Sequence, residues 1–223
     1  MLENIDNLLF DLDGTLTDPK EGIVNSILYA LTKLNIRENC IEELNSFIGP
    51  PLRESFAGRY NLTAEMADKA VRYYREYYSV KGLFENKIYP GVKEMLESLS
   101  SHNYHLFVAT SKPTVYAVEV LRYFEIYSYF KETVGSNLDN TRSEKTEIIS
   151  HLISEFRVFP GSSVMIGDRK HDIIGGKNNS LKTIAVTYGY GSREELSSHQ
   201  PDFIVNNCKE IQTLFVKQNL LKI

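Results

Sequence analysis

The stretch Leu8-Leu9-Phe10-Asp11-Leu12-Asp13-Gly14-Thr15 constrains the chain more than any other. Three apolar residues run straight into Asp11, Asp13 follows two residues on, and Gly14-Thr15 breaks the extended pattern. An apolar run that stops in acids reads as a buried parallel strand ending in a polar crevice. Ligands of open α/β sheets bind at the carboxyl ends of the strands. The stretch therefore puts two carboxylates where such a fold usually does chemistry.

The rest of the chain supports a sheet of this kind. Residues 5–11 read as its first strand. After Asp18-Pro19, an N-cap followed by proline at the first helical position, Ile23, Ile27, Leu28, Leu31 and Leu34 recur at helical spacing. Further helices are expected at about Cys40–Phe47, at Leu52–Tyr60, and from Thr63 to about Val80, so residues 17 to 83 hold helices alone. From Pro90-Gly91, which opens a helix to about Leu99, the pattern changes. Strands at His105–Thr110, Thr133–Val134, Val164–Ile166, Lys182–Val186 and Phe203–Ile204 alternate with helices at Pro113–Phe124, Ser143–Phe156, up to Lys177, and at Lys209–Lys217. Repeated βα units imply a parallel sheet covered on both faces. The fold class is α/β: a Rossmann-like core, residues 1–16 and 85–223, with an inserted α-helical cap, residues 17–84. The crossings Thr15–Asp18 and Phe84–Tyr89 are expected to act as paired hinges, since hinge closure over a site excludes water.

Composition excludes several classes. The 223 residues are 42% hydrophobic and 24% charged with a net charge of −4, which suits a soluble globular protein and argues against binding nucleic-acid polymers or anionic membranes. Cys40 and Cys208 are the two cysteines; they form neither a zinc motif nor a disulfide framework, and a reducing cytoplasm is the expected location. Glu3 and Asp6 near the N-terminus argue against a signal peptide, and no apolar run reaches the ~20 residues of a membrane helix. The five histidines do not cluster as ligands, and neither GxxxxGK[ST] nor GxGxxG occurs.

Four motifs fall at or just beyond strand ends: Asp11-Leu12-Asp13-Gly14-Thr15, Val108-Ala109-Thr110-Ser111-Lys112-Pro113, Lys145, and Gly167-Asp168-Arg169-Lys170-His171-Asp172. In this order, and over nearly the whole chain, they resemble the haloacid dehalogenase superfamily, and the helical insertion between the first two resembles its helical-cap subfamily. Phe10 to Ile23, Phe47-Ile48-Gly49-Pro50-Pro51-Leu52 and Tyr188-Gly189-Tyr190-Gly191-Ser192 are most similar to phosphoglycolate phosphatase-like enzymes, and within them to the 5′-nucleotidase branch. Thr146 stands after Lys145 where that family commonly has proline.

The resemblance implies hydrolysis of a small phosphomonoester, a nucleoside 5′-monophosphate or 2-phosphoglycolate. It makes Asp11 the nucleophile, Asp13 the general acid and base, and Thr110 and Lys145 the groups that hold and neutralise phosphoryl oxygens. It implies Mg²⁺ on Asp11, the Asp13 carbonyl and Asp168, with Asp172 as a ligand, directly or through water, or as a supporting partner. A carboxylate nucleophile splits one hard displacement into two, and stabilising charge usually dominates phosphoryl transfer. Ser111, Lys112, Gly49 and Arg53 are the expected substrate contacts. Blander roles stand beside these: Thr110 as a helix N-cap, and Lys112, Arg53 and Lys145 as solvated surface cations. Tyr73, Tyr74, Tyr77 and Tyr78 either build the cap core or supply one ring that stacks on substrate. A phosphomutase of the same superfamily is the enzyme alternative, and a module that merely stores an aspartyl-phosphate the non-enzymatic one. Asp13 argues against dehalogenation, where the leaving halide needs no acid. A phosphonatase should carry a Schiff-base lysine in its cap, and no cap lysine stands out. The expected partner is a small phosphorylated metabolite, and the expected state a monomer or homodimer.

Overall fold

The computed structural model describes Leu2, residues 4–139 and residues 141–219. In chain order the elements are β1 (Asn7–Phe10), β2 (Thr17–Asp18), α1 (Lys20–Lys33), a 3-10 segment (Ile41–Phe47), α2 (Leu52–Tyr60), α3 (Ala64–Tyr77), a π turn (Tyr78–Gly82), β3 (Lys87–Ile88), α4 (Val92–Ser101), β4 (His105–Pro113), α5 (Thr114–Tyr123), β5 (Phe130–Ser136), α6 (Lys145–Phe156), β6 (Ser163–Gly167), α7 (Lys170–Asn178), β7 (Lys182–Val186), α8 (Arg193–Ser198), β8 (Phe203–Val205) and α9 (Cys208–Asn219). They fall into two compact units, Met1–Thr17 with Ile88–Ile223, and Asp18–Lys87.

The larger unit is built on a six-stranded sheet ordered β5-β4-β1-β6-β7-β8, parallel throughout. The fold is thus the α/β, Rossmann-like core that the alternating pattern predicts. β1 lies between β4 and β6, with Phe10 level with Val108 and Ile166. All four of its residues are buried, which explains why Leu8-Leu9-Phe10 reads as an unbroken apolar run rather than an alternation. Leu9 joins Phe107, Met165 and residues of α6 in one apolar cluster. The chain moves outward from β1 to β4 and β5, then returns to β6 on the other side. That reversal is a switch point, where strand ends diverge and leave a crevice.

Several elements differ from the sequence reading for identifiable reasons. β5 spans Phe130–Ser136 rather than two residues. It is an edge strand, and Lys131 and Glu132 interrupt its apolar pattern. β4 continues past Thr110 to Pro113, which lies level with Ser136 of β5 after a shift in register. The N-cap of α5 is Pro113, so Thr110 is not that cap. Pro19, rather than Asp18, is the N-cap of α1, although the Asp18 carboxylate still accepts the Lys20 N–H at 3.1 Å. α8 is absent from the sequence reading, yet Ser192 opens it by accepting the Glu195 N–H at 3.0 Å, a capping signature visible as Ser-x-x-Glu.

The smaller unit is helical. α3 is capped by Thr63, whose hydroxyl accepts the Met66 N–H at 3.3 Å, and it passes into the π turn at Tyr78, short of the expected end near Val80. Tyr74 and Tyr78 are buried and stacked, with ring centroids 5.2 Å apart. These two tyrosines are core of this unit. Phe47 of the 3-10 segment and Phe56 of α2 pack edge to face, with ring centroids 5.1 Å apart. Arg59 grips Glu38 through two bonds of 2.9 and 3.0 Å and reaches Glu43 at 2.7 Å. This arrangement holds the Glu38 carboxyl at about 2, chiefly through the Arg59 hydrogen bonds. Among the described residues, no helix is long and apolar enough to cross a membrane.

Candidate active site

Asp11 is the first residue beyond β1. Its N–H still donates to the Ile166 carbonyl at 2.9 Å, so the sheet ladder fixes its backbone. Its Oδ1 accepts the Leu12 N–H at 2.8 Å. The chain then turns at once: the Leu16 and Thr17 N–H groups both donate to the Leu12 carbonyl, at 2.9 and 3.0 Å, and Gly14 N–H donates to Thr17. Gly14 makes this turn possible. Its φ is +88°, and a Cβ there would lie 2.2 Å from Asp168 Oδ2, so a side chain would be strained and would displace an acid of the site.

The turn carries the Asp13 carboxylate to Lys112, 99 positions away in sequence, with Oδ1 and Nζ 2.5 Å apart. Both side chains are nearly buried, at 13% and 4% exposure. Burial raises the Asp13 carboxyl above its ordinary range, and the opposing pull of Lys112 does not cancel that. A carboxyl raised in this direction holds its proton more readily than an ordinary one, which suits a general acid.

Lys145 is the first residue of α6, and its ammonium is buried. Nζ lies 2.9 Å from Asp11 Oδ1, 2.7 Å from Asp172 Oδ1 and 2.9 Å from the Ala109 carbonyl. Two carboxylate oxygens and one backbone carbonyl thus surround the ammonium. Burial works against its charge, but Asp11 and Asp172 outweigh burial and hold it well in the protonated form.

Asp168 follows β6, and Asp172 lies in the first turn of α7; both are buried. Asp168 Oδ2 accepts the Tyr190 N–H at 2.7 Å, and its Oδ1 faces the Thr15 hydroxyl at 3.4 Å. Asp172 Oδ2 accepts the Arg169 N–H at 3.0 Å. Oxygens of Asp11, Asp168 and Asp172 lie within 4.8 Å of one another. Burial and the neighbouring acids push Asp168 well above the ordinary carboxylate range, and burial raises Asp172 to about 6. Three buried carboxylates thus cluster together, and two of them meet the Lys145 ammonium. The excess negative charge, the all-oxygen donor set and the burial fit a hard divalent cation such as Mg²⁺.

The remaining expected residues divide. Thr110 is buried, and its hydroxyl accepts the Lys112 N–H at 3.3 Å. Ser111 is half-buried, and its carbonyl accepts the Ser136 hydroxyl at 2.8 Å. Lys112 and Lys145 are not solvated cations. Gly49 and Arg53 belong to the smaller unit, where Arg53 Nε pairs with Asp68 at 2.6 Å. The loop after β7, which carries part of the family resemblance, has no site role in the sequence reading. Its Tyr190 N–H reaches Asp168, the Tyr188 hydroxyl donates to the Thr15 carbonyl at 2.9 Å, and a Cβ at Gly189 would lie 2.4 Å from Asp168 Oδ2. Only glycine fits that close approach. The two glycines of Gly189-Tyr190-Gly191 are the signal for it in the sequence, although not as a phosphate cradle.

The family model for haloacid dehalogenase-like hydrolases matches residues 8–186. A 5′-nucleotidase from Pseudomonas aeruginosa is 47% identical over 208 residues, which cover 93% of each chain. A phosphoglycolate phosphatase from Vibrio vulnificus is 27% identical over 217 residues, 94% of this chain and 95% of that one. The crystal structure of a predicted phosphatase from Clostridium acetobutylicum superposes with a TM-score of 0.92 at 44% identity, covering 96% of this chain and 99% of that one.

Proposed function

The chain belongs to the haloacid dehalogenase-like hydrolase family, and we propose that it is a Mg²⁺-dependent phosphatase acting on a small phosphomonoester through an Asp11 phosphoenzyme. The observation that carries this reading is the convergence of Asp11, Lys145, Asp168 and Asp172 at the carboxyl edge of the sheet, with Asp13 beside them on Lys112. A nucleoside 5′-monophosphate is the first candidate substrate, on the strength of the Pseudomonas relative. 2-Phosphoglycolate is the second, on the Vibrio one. The partner is then a small metabolite, with no polymeric nucleic acid or membrane involved, and the protein works as a monomer or homodimer in the cytoplasm.

The chemistry follows from the residues. Asp11 Oδ attacks phosphorus, and the bond from phosphorus to the ester oxygen breaks. Asp13 delivers its proton to that oxygen, so the product leaves as a neutral alcohol. Water then attacks the phosphorus of the aspartyl-phosphate, Asp13 takes the water's proton, and Asp11 is released with inorganic phosphate. Lys145, 2.9 Å from Asp11 Oδ1, supplies positive charge beside the nucleophile and neutralises a phosphoryl oxygen. The Thr110 hydroxyl and the backbone N–H groups after it hold another. Asp11, the Asp13 carbonyl, Asp168 and Asp172 would hold Mg²⁺, which when bound supplies positive charge against the phosphoryl oxygens.

Purified protein should release phosphate from a panel of nucleoside monophosphates, 2-phosphoglycolate and sugar phosphates when Mg²⁺ is present, and lose that activity with chelator. Phosphate returned to a sugar bisphosphate-activated substrate instead would indicate a mutase. No turnover of any ester, with Asp11→Asn and wild type alike, would overturn the enzyme reading.

A further inference from the structure

Asp168 and Asp172 are separated by only Arg169, Lys170 and His171. Their relative placement therefore depends on how that short segment is held. Asp172 does part of this itself, because its Oδ2 accepts the Arg169 N–H at 3.0 Å. A further restraint comes from an acid that the mechanism does not use. Glu195 Oε1 accepts the Lys170 N–H at 2.9 Å and the Arg169 Nε–H at 3.0 Å. One carboxylate oxygen thus grips the backbone of one residue and the side chain of the preceding one.

Glu195 is itself well anchored. Its N–H caps onto Ser192 Oγ at 3.0 Å. The next residue, Leu196, is fully buried and packs in an apolar cluster with Ile173 of α7 and Ala185 of β7. The Arg169 and Glu195 side chains are only 14% and 22% exposed, so this pair is not a solvated surface bridge of small consequence. Burial would raise the Glu195 carboxyl, but Arg169 and the Lys170 N–H outweigh burial and hold it below its usual range. The same stretch of chain carries the Tyr190 N–H that meets Asp168 Oδ2 at 2.7 Å. Both acids are therefore braced from residues 190–195.

We infer that Glu195 is a positioning residue: through Arg169 and Lys170 it sets the placement of Asp168 and Asp172 and so the affinity of the site for its divalent cation. This rests on the reading that Asp11, Asp168 and Asp172 hold Mg²⁺. Partners behind a metal's ligands typically govern about 10–100-fold in metal affinity.

The test is calorimetric titration of Mg²⁺ into metal-free wild type, Glu195→Ala, Glu195→Gln and, as a control, Asp168→Asn, without substrate. Thermal unfolding of each metal-free protein establishes that it is folded at the titration temperature. Expected is a Kd raised by about 10–100-fold in Glu195→Ala, with Glu195→Gln in between, since its amide oxygen still accepts the Lys170 N–H. Turnover by Glu195→Ala should recover as Mg²⁺ is raised, which a merely structural role would not produce. Should Glu195→Ala not fold, Glu195→Gln carries the test, with any Kd equal to wild type counting against it. Equal Mg²⁺ affinity in a folded Glu195 variant overturns the inference and leaves the metal site intact. Wild type that binds no Mg²⁺, or binds as Asp168→Asn does, overturns the metal reading and the inference with it.

Discussion

Replacing Lys145 by methionine removes one charge and little volume, and it tests the electrostatic design of the site. Lys145 Nζ sits 2.9 Å from Asp11 and 2.7 Å from Asp172, with the three side chains 3%, 8% and 2% exposed. Removing one partner of a buried ion pair leaves the other desolvated and uncompensated, which costs about 3–5 kcal/mol. Here two carboxylates lose the same counter-charge, with a third, Asp168, close by. The metal-free variant should therefore unfold roughly 6–20 °C below wild type near neutral pH, at about 2–4 °C per kcal/mol for a chain of this size. The deficit has a characteristic pH dependence. Once the acids are protonated there is no orphaned charge, so the gap between variant and wild type should narrow as pH falls toward the ordinary carboxylate range. Differential scanning fluorimetry across pH, in chelator and in Mg²⁺, reads both effects. Added Mg²⁺ should restore part of the lost stability, because it supplies positive charge at the same acids. A Lys145→Met protein as stable as wild type at neutral pH would refute the claim that these carboxylates are held by Lys145. So would a gap that is independent of pH.

Other consequences follow from the same geometry. Asp13→Asn should lower turnover by about 10²–10⁴-fold while leaving Mg²⁺ affinity nearly unchanged, as steady-state kinetics and calorimetry would show; normal turnover would remove Asp13 from proton transfer. Gly189→Ala puts a Cβ 2.3 Å from the Gly14 carbonyl and 2.4 Å from Asp168 Oδ2, so Mg²⁺ binding should weaken by about 10-fold or more, and wild-type affinity would contradict the close approach. Asp172 is raised from 3.8 to about 6. The folded metal-free protein therefore binds more protons than the unfolded chain between those values. This group makes stability greatest below that window and lowers it as pH rises through the window. Urea midpoints for wild type minus those for Asp172→Asn, both in chelator, should fall across it, whereas a rising difference would show that the carboxyl is not raised.

How much of this could be read in advance varies by element. β1, β6 and β7 announce themselves, because strands buried on both faces leave unbroken apolar runs. β5 does not, because at the sheet edge its Lys131 and Glu132 are free to be polar. α8 is short and contributes only Leu196 to the core, so periodicity cannot find it; its Ser-x-x-Glu cap could have. Within the site, Asp11, Asp168 and Asp172 are legible as acids that follow or lie just beyond strands. The environment of the lysines is not. Lys145 and Lys112 look like any surface cation in a sequence, and only the fold shows Lys145 between two carboxylates and Lys112 against a third. The Lys112–Asp13 pair joins two strand ends 99 residues apart, and no local pattern encodes it. The Glu195 brace is hidden for the same reason, since its partners lie 25 and 26 residues away.

In the proposed mechanism Asp11 carries the phosphoryl group. Rapid acid quench of wild type with a nucleoside 5′-monophosphate labelled in its phosphate, followed by peptide mapping, tests it directly. Label should appear transiently on the peptide containing Asp11, in step with release of the nucleoside, and Asp11→Asn should show neither label nor turnover. Phosphate release by Asp11→Asn at the wild-type rate, or label trapped on a different residue, would contradict the account.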